Sequence, residues 1–404
     1  MYDNISTELI SDSHNFINLK FKTTPINIQQ YQMSEITQVL NNLLHEFESK
    51  HNNLFDKLSN VKLISGRSNI ILAQKIAHYL NIELIDRKII DFPNSEINIQ
   101  INENIRHKDI FIIQTGSKDE FHSINDYIME TLIMVDACKR SGSKSITCIM
   151  PSFPYARSDK KLHSREPIVA SLITELLTAS GCNRIISVDL HAAQIQGFTK
   201  QPFDNLYAIN LHIENLKKTI LKEYFPTDNS ICEDENQKLK ETMNQNFSIV
   251  SLDVGGSKRV VEYSKRLGIE YSFFDKQRDY TKPGTILKTL FVGNVSLKNK
   301  RIFVIDDMID SGSTMVAGIK ILSDFQVKSA IIIVTHGLFS GEAIKNINEC
   351  NLIEKVIVID TLNVSDKMKK CNKIEVVTCA DMLGETIKRI KTGESISELF
   401  AINK

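Results

Sequence analysis

The sequence predicts an α/β fold of mainly parallel sheets covered by helices. Three observations predict it. From Val61 onward, short apolar runs alternate with helical segments, the rhythm of βαβ units. Many of these runs are apolar at nearly every position, as strands buried on both faces are. Several end in Gly, Ser, Asp or His, which puts chemistry at strand carboxyl ends, where open α/β sheets bind ligands. At 404 residues the chain exceeds one compact core and suits two domains.

Residues 1–30 are polar, rich in Asn and Ser, and show no period, so a loosely held arm is expected. Over 33–58, Met33, Ile36, Leu40, Leu43, Leu44 and Phe47 recur at threes and fours, which predicts an amphipathic helix. "VKLIS" then reads as a strand and "NIILAQKIAHYL" as a helix. The runs "DIFIIQTG", "SITCIMPS", "RIISVDLH", "FSIVSLDVGG", "RIFVIDDM", "SAIIIVTHG" and "KVIVIDT" read as further strands. Residues 222–246 are polar with few apolar anchors, and an insertion or mobile linker is expected there. The expected organisation is an N-terminal extension over 1–60, a first domain over 61–210, a second over 211–390 and a C-terminal tail over 391–404.

Net charge is zero, which gives no support to a general electrostatic grip on nucleic acid or an anionic membrane. No apolar run approaches the ~20 residues of a membrane span. The N-terminal stretch lacks the basic and apolar regions of a leader, so a cytoplasmic protein is expected. The seven cysteines form no CxxC pair, and reduced thiols are expected rather than disulfides or a zinc site.

The chemistry concentrates in a few stretches. In "VIDDMIDSGST" an apolar strand delivers Asp306, Asp307 and Asp310 into a turn of small residues, Ser311, Gly312, Ser313 and Thr314. Backbone N–H groups in such a turn, capped by the next helix, bind phosphate. The acids would repel that phosphate, but they can accept hydrogen bonds from sugar hydroxyls or hold Mg²⁺. An ordinary capped βα turn would not need three acids. In "DLHAAQIQGFTKQPFD", Asp189 and His191 stand two apart and share one side if extended. Together they could hold a metal-bound polyphosphate. "FPNSEINI" sets Phe92, Asn94 and Glu96 on one face if extended, one aromatic ring with two hydrogen-bonding groups, enough to read a purine. In "PSFPYARSDKK", Arg157 offers guanidinium donors that match phosphate oxygens. "FFDKQRDYTKPG" carries Lys276 and Arg278 in a loop after a strand, and "SLDVGGSKR" carries Asp253 before two glycines.

The "VIDDMIDSGST" stretch resembles the 5-phosphoribosyl diphosphate binding motif of the type I phosphoribosyltransferase fold. "DLHAAQIQGFTKQPFD" resembles the signature of the ribose-phosphate diphosphokinase (phosphoribosyl diphosphate synthetase) family, and the likeness runs from Val61 to about Phe400. It implies two tandem phosphoribosyltransferase-like domains that use ATP, ribose 5-phosphate and Mg²⁺. By that resemblance Asp189, His191, Asp204 and Asp253 serve the metal. Phe92, Asn94, Glu96, Arg157, Ser158 and His191 seat ATP. Lys276, Arg278 and His191 act in catalysis, and Asp306, Asp307, Asp310, Ser311, Gly312, Ser313 and Thr314 bind ribose 5-phosphate. It further implies a homo-oligomer, an assembly of dimers that is commonly a hexamer. Free inorganic phosphate would act as activator at Arg165, Gln196, Ser395 and Ser397, with the tail folded back on the first domain. The chain departs from the family pattern at Thr199-Lys200, where Phe-Asp is usual, at Ser158 for Gln, at Ser313 for Gly and at Asn104 for Ser. These departures keep open a non-catalytic associated subunit. A base-using phosphoribosyltransferase fits less well, since it needs one domain and no ATP-reading element.

Overall fold

A computed structural model describes residues 7–10, 18–21, 57–225, 233–278 and 286–400. The chain divides into a unit over Met1–Lys57 and a unit over Leu58–Lys404. In the first, Thr7–Ile10 pairs antiparallel with Asn18–Phe21. The amphipathic helix expected over 33–58 lies, up to residue 56, outside the described residues.

The second unit holds the α/β architecture. One sheet has five parallel strands in sequence order: Val61–Ser65, Asp109–Ile113, Ser145–Ile149, Arg184–Val188 and Phe203–Leu206. The Asp109–Ile113 strand is buried throughout, and Leu63, Ile64, Ile110, Ile112 and Cys148 show no exposed surface. The near-continuous apolar runs of the sequence follow from this two-sided cover. The helices Ile124–Arg140 and Val169–Ser180 lie on one face, with Met134, Val135, Ala170 and Leu177 in a common core with the sheet. Ser123 and Asp126 close a capping box on the first of these helices, satisfying N–H groups that have no partner within the helix. On the other face, Ile70–Leu80 shares its core with the C-terminal helix Ala380–Thr392 through Leu72, Ile76, Leu383 and Ile387. The boundary expected at 390 falls inside that last helix.

The second sheet has seven strands in the order Ile286–Val292, Tyr271–Arg278, Phe247–Ser251, Arg301–Ile309, Ser329–Gly337, Ile353–Ile359 and Ile374–Val377. All neighbours are parallel except the first two, which pair antiparallel. The stretch expected as a loop at Lys276 and Arg278 is therefore ladder, with Lys276 opposite Thr289. Charged residues follow Phe274, and this strand pair at the sheet edge tolerates them. Residues 233–246 lie in the stretch expected as an insertion or mobile linker. They form a helix, anchored by the buried Met243 in the core beside Phe247 and Leu216. One apolar anchor was too weak a periodic signal to reveal it.

The carboxyl ends of the two sheets meet. Asn69 Nδ2 donates to the Asp360 carbonyl at 2.9 Å, Thr115 Oγ1 to the Thr361 carbonyl at 2.7 Å, and Thr335 Oγ1 to Asp189 Oδ2 at 2.6 Å. Lys391 pairs with the buried Asp109, which ties the C-terminal helix to the first sheet. The tail continues along the same surface, where Asn210 Nδ2 donates to the Leu399 carbonyl at 2.9 Å and the Tyr207 and Phe400 rings meet edge to face.

Candidate active site

The Arg301–Ile309 strand ends in the three acids. Asp307 is buried, with 4% of its side chain exposed, whereas Asp306 and Asp310 each keep 32%. Gly312 follows in the left-handed region at φ 71° and opens the helix Ser313–Asp324. A side chain there would be strained, which accounts for Gly at the centre of the turn. Ser311 Oγ and Ser313 Oγ lie 2.9 Å apart. The turn thus presents hydroxyls and the free N–H groups of a helix start, an anion-binding arrangement.

The first sheet supplies the opposite wall. His191, just past the Arg184–Val188 strand, donates from Nδ1 to Asp307 Oδ2 at 2.6 Å. This bond raises the His191 pKa against the opposing effect of burial. Arg157, from the proline-flanked loop, reaches Asp310 Oδ2 at 2.6 Å. Burial alone would raise Asp307, but His191 and the nearby Arg259 outweigh it and hold the carboxyl well below the usual range. Asp306 is pushed up by its burial and by the adjacent Asp307 charge.

Two groups in this cluster were not found by sequence inspection. Arg259 Nη1 lies 3.6 Å from Asp306 Oδ1 and 3.5 Å from Asp307 Oδ1. His336, at the end of Ser329–Gly337, donates from Nε2 to the Asp189 carbonyl at 3.3 Å. "SKR" and "THG" are weak signals in isolation. Their strand-end and helix-start positions were the only available hint.

The four expected metal residues do not converge. Among the described residues no group of three or more His, Cys, Asp or Glu side chains forms a cation cluster. Asp204 pairs with Arg184 instead, and Asp253 Oδ1 accepts the Gly256 N–H at 3.0 Å. Asp189 stands in the left-handed region at φ 42°, strain of the kind that tight packing at a site sustains. Its Oδ2 takes both the Ala208 N–H and Thr335 Oγ1, while Oδ1 takes no described hydrogen bond. Mg²⁺ usually binds through one or two carboxylates plus substrate phosphates rather than a protein cage. Asp189, through Oδ1, suits an ion of that kind, and Asp204, held by Arg184, does not.

The element expected to read a purine is a hairpin rather than a flat strand. Arg87–Asp91 pairs with Ile97–Ile101, and Phe92 N donates to the Glu96 carbonyl at 2.8 Å. Phe92, Asn94 and Glu96 therefore sit around a turn, with Ser95 at φ 69°. The period-2 expectation failed because Pro93-Asn94-Ser95 is turn chemistry. Phe92 and Glu96 line a cavity of about 530 Å³ with Met129 and Ile133, and neither Asn94 nor any residue of the aspartate cluster lines it. Ser158 is engaged within its own loop, where Ser158 N donates to the Tyr155 carbonyl at 2.9 Å and its hydroxyl accepts the Val169 N–H at 3.4 Å.

Of the residues expected to take free phosphate, Gln196 and Ser397 line a cavity of about 410 Å³ together with Asp204 and Tyr207. Arg165, in the left-handed region at φ 70°, and Ser395 do not line it. Thr199 bonds Thr178 Oγ1 at 3.2 Å, and Lys200 is exposed. The six cysteines among the described residues are free thiols, and no described helix is long and apolar enough to cross a membrane.

Comparison with known proteins gives concordant results. Residues 61–181 match the N-terminal domain of ribose phosphate pyrophosphokinase, and residues 280–401 match the phosphoribosyl synthetase-associated domain. Ribose-phosphate pyrophosphokinase 2 of Schizosaccharomyces pombe is 39% identical over 344 residues, 85% of this chain and 98% of that protein. The crystal structure of phosphoribosylpyrophosphate synthetase from Mycobacterium smegmatis is similar at a TM-score of 0.70 and 32% identity, covering 82% of this chain and 99% of that one.

Proposed function

Since the chain belongs to the ribose-phosphate pyrophosphokinase family, we propose that it transfers diphosphate from ATP to ribose 5-phosphate through the aspartate cluster described above. The observation that carries this reading is the joining of two walls. Asp307 and Asp310 from one sheet are bonded to His191 and Arg157 from the other. A sugar held on the acids thus lies beside groups suited to a polyphosphate. The alternative of a non-catalytic associated subunit gains no support, because the two matches that span most of the chain are to a pyrophosphokinase and a synthetase.

Asp306, Asp307 and Asp310 accept hydrogen bonds from the ribose hydroxyls, and the turn from Ser311 to Thr314 takes the 5-phosphate. The anomeric hydroxyl attacks the β-phosphorus of ATP. A bond forms from the sugar oxygen to that phosphorus, the bond to the bridging oxygen of AMP breaks, and the hydroxyl proton is released. Arg157 and His191 orient the polyphosphate, and Lys276 and Arg278 neutralise charge on the moving group. Phe92, Asn94 and Glu96 read adenine at the hairpin. Mg²⁺ bound by Asp189 would supply further charge neutralisation.

Regulation by inorganic phosphate, a homo-oligomeric state and a cytoplasmic location belong to the same reading, supported by the family likeness. Arg165→Ala is expected to lose phosphate activation and keep basal turnover, and a flat phosphate titration of active enzyme removes that site. The test of the reaction is product identity. Purified chain with ATP, ribose 5-phosphate and Mg²⁺ should release AMP only when the sugar is present. Release of ADP instead would mean single phosphoryl transfer and end this reading.

A further inference from the structure

Arg259 has no assigned part in the scheme above. It lies in the first turn of the helix Ser257–Leu267. The preceding turn sits close against the sheet, since a Cβ on Gly256 would meet Ser251 Oγ at 2.2 Å. A side chain there would displace the Ser251 hydroxyl from its bond to the Asp253 carbonyl. This close approach brings the start of the helix over the ends of two adjacent parallel strands, Phe247–Ser251 and Arg301–Ile309.

There the guanidinium stands between the two consecutive acids. The distances of 3.6 Å to Asp306 Oδ1 and 3.5 Å to Asp307 Oδ1 satisfy an ion pair but are too long for strong hydrogen bonds. No described hydrogen bond of the protein uses an Arg259 N–H. The contact therefore acts by charge rather than by a bidentate fit. Burial works against the Arg259 charge, yet Asp307, Asp189 and Asp306 keep its pKa above the ordinary value. Its side chain is 28% exposed, so this charge is only partly screened by water.

Asp306 and Asp307 are otherwise two carboxyls on neighbouring residues whose charged forms oppose one another, which is what pushes Asp306 up. His191 engages Asp307 Oδ2 from the opposite side, and the Asp307 N–H bonds Asp306 Oδ1 at 2.8 Å. Among the described residues only Arg259 is ion-paired to both carboxylates. Mutual repulsion would otherwise turn the more exposed Asp306 outward, away from a bound sugar.

We propose that Arg259 is a positioning residue for sugar recognition, fixing the Asp306–Asp307 pair in the arrangement that binds the hydroxyls of ribose 5-phosphate. It acts through those two acids and sets affinity for the sugar more than the rate of transfer. The inference rests on the proposed function only in naming the sugar.

The experiment compares Arg259→Met and Arg259→Lys with the native chain. Arg259→Met should raise the KM for ribose 5-phosphate about 10- to 100-fold, the loss of roughly 1.4–2.7 kcal/mol, with kcat and the KM for ATP changed less than threefold. Because the contacts are charge contacts, Arg259→Lys should recover most of the affinity, which a bidentate site would not allow. Titration of ribose 5-phosphate by calorimetry, without ATP, reads the same step independently of turnover. A sugar KM within twofold of native in Arg259→Met overturns the inference. So does an Arg259→Lys variant as impaired as Arg259→Met. If Arg259→Met does not fold, Arg259→Lys decides alone, and a sugar KM raised more than tenfold in that variant counts against the inference. A native chain that binds the sugar but releases no AMP would instead overturn the proposed reaction and leave the role of Arg259 standing.

Discussion

Removing the Asp310 carboxylate separates sugar binding from stability. Asp310 sits past the Arg301–Ile309 strand, 32% exposed, with Arg157 at 2.6 Å and more than half of the Arg157 side chain in solvent. An ion pair that exposed is worth at most about 1 kcal/mol. The backbone bond from Ser340 N to the Asp310 carbonyl at 3.1 Å does not depend on the side chain. Asp310→Ala should therefore lower the melting temperature by no more than about 2–4 °C. A hydrogen bond from a ribose hydroxyl to a charged carboxylate is worth about 1.5–3 kcal/mol. Its loss should reduce kcat/KM for ribose 5-phosphate roughly 10- to 150-fold. The assay is AMP release across a ribose 5-phosphate titration at saturating ATP, with a thermal melt of the same preparation. Unchanged kcat/KM for the sugar would show that Asp310 serves only its protein partners, Ser340 and Arg157. A large drop in melting temperature would mean that any activity loss reports folding.

Three other outcomes are expected. Lys276→Ala should lower kcat by about 10²–10³ with KM values little changed, as expected for charge that matters mainly in the transition state; steady-state kinetics in which only KM rises would make Lys276 a ground-state binder. Asp360→Ala should destabilise the chain by roughly 2–4 kcal/mol, since it orphans the Cys379 N–H, now bonded at 2.8 Å, and removes the half-exposed Lys75 pair; a denaturant midpoint equal to native would refute that sum. Burial raises the Asp109 carboxyl, but Lys391 and Ser145 outweigh it and leave the pKa below the ordinary value. A depressed carboxyl contributes stability that is present above the unfolded pKa, ~3.9, and is lost as pH falls through the folded one. Thermal melts between about pH 6 and pH 3 should thus fall more steeply for native chain than for Asp109→Asn, and parallel curves would exclude the linkage.

The α/β class and most of the strands were legible because two-sided burial writes itself as unbroken apolar runs. "RIISVDLH" and "SAIIIVTHG" could hardly be anything else. The same local logic placed Asp306, Asp307, Asp310 and Gly312, since a strand end and a tight turn are matters of a few consecutive residues. Turn chemistry at Pro93-Asn94-Ser95 was also local, but an assumed period of two concealed it. The helix at 233–246, with one buried anchor, left almost no periodic trace.

Tertiary structure decided which charges meet. Arg157 and Asp310 are separated by 153 residues, and His191 and Asp307 by 116. Nothing in the order of residues states that the carboxyl ends of two sheets face one another closely enough for these pairs to form. Asp204 stands in the same signature as Asp189 and His191, yet strand pairing places it opposite Ile186 and within reach of Arg184. Arg259 was an unremarkable basic residue until the close approach at Gly256 set it over two acids from another strand. The physical reason is range. Backbone propensity and burial pattern act between neighbours in sequence, whereas an ion pair needs only a few ångströms in space, and the packing of the whole chain sets that distance.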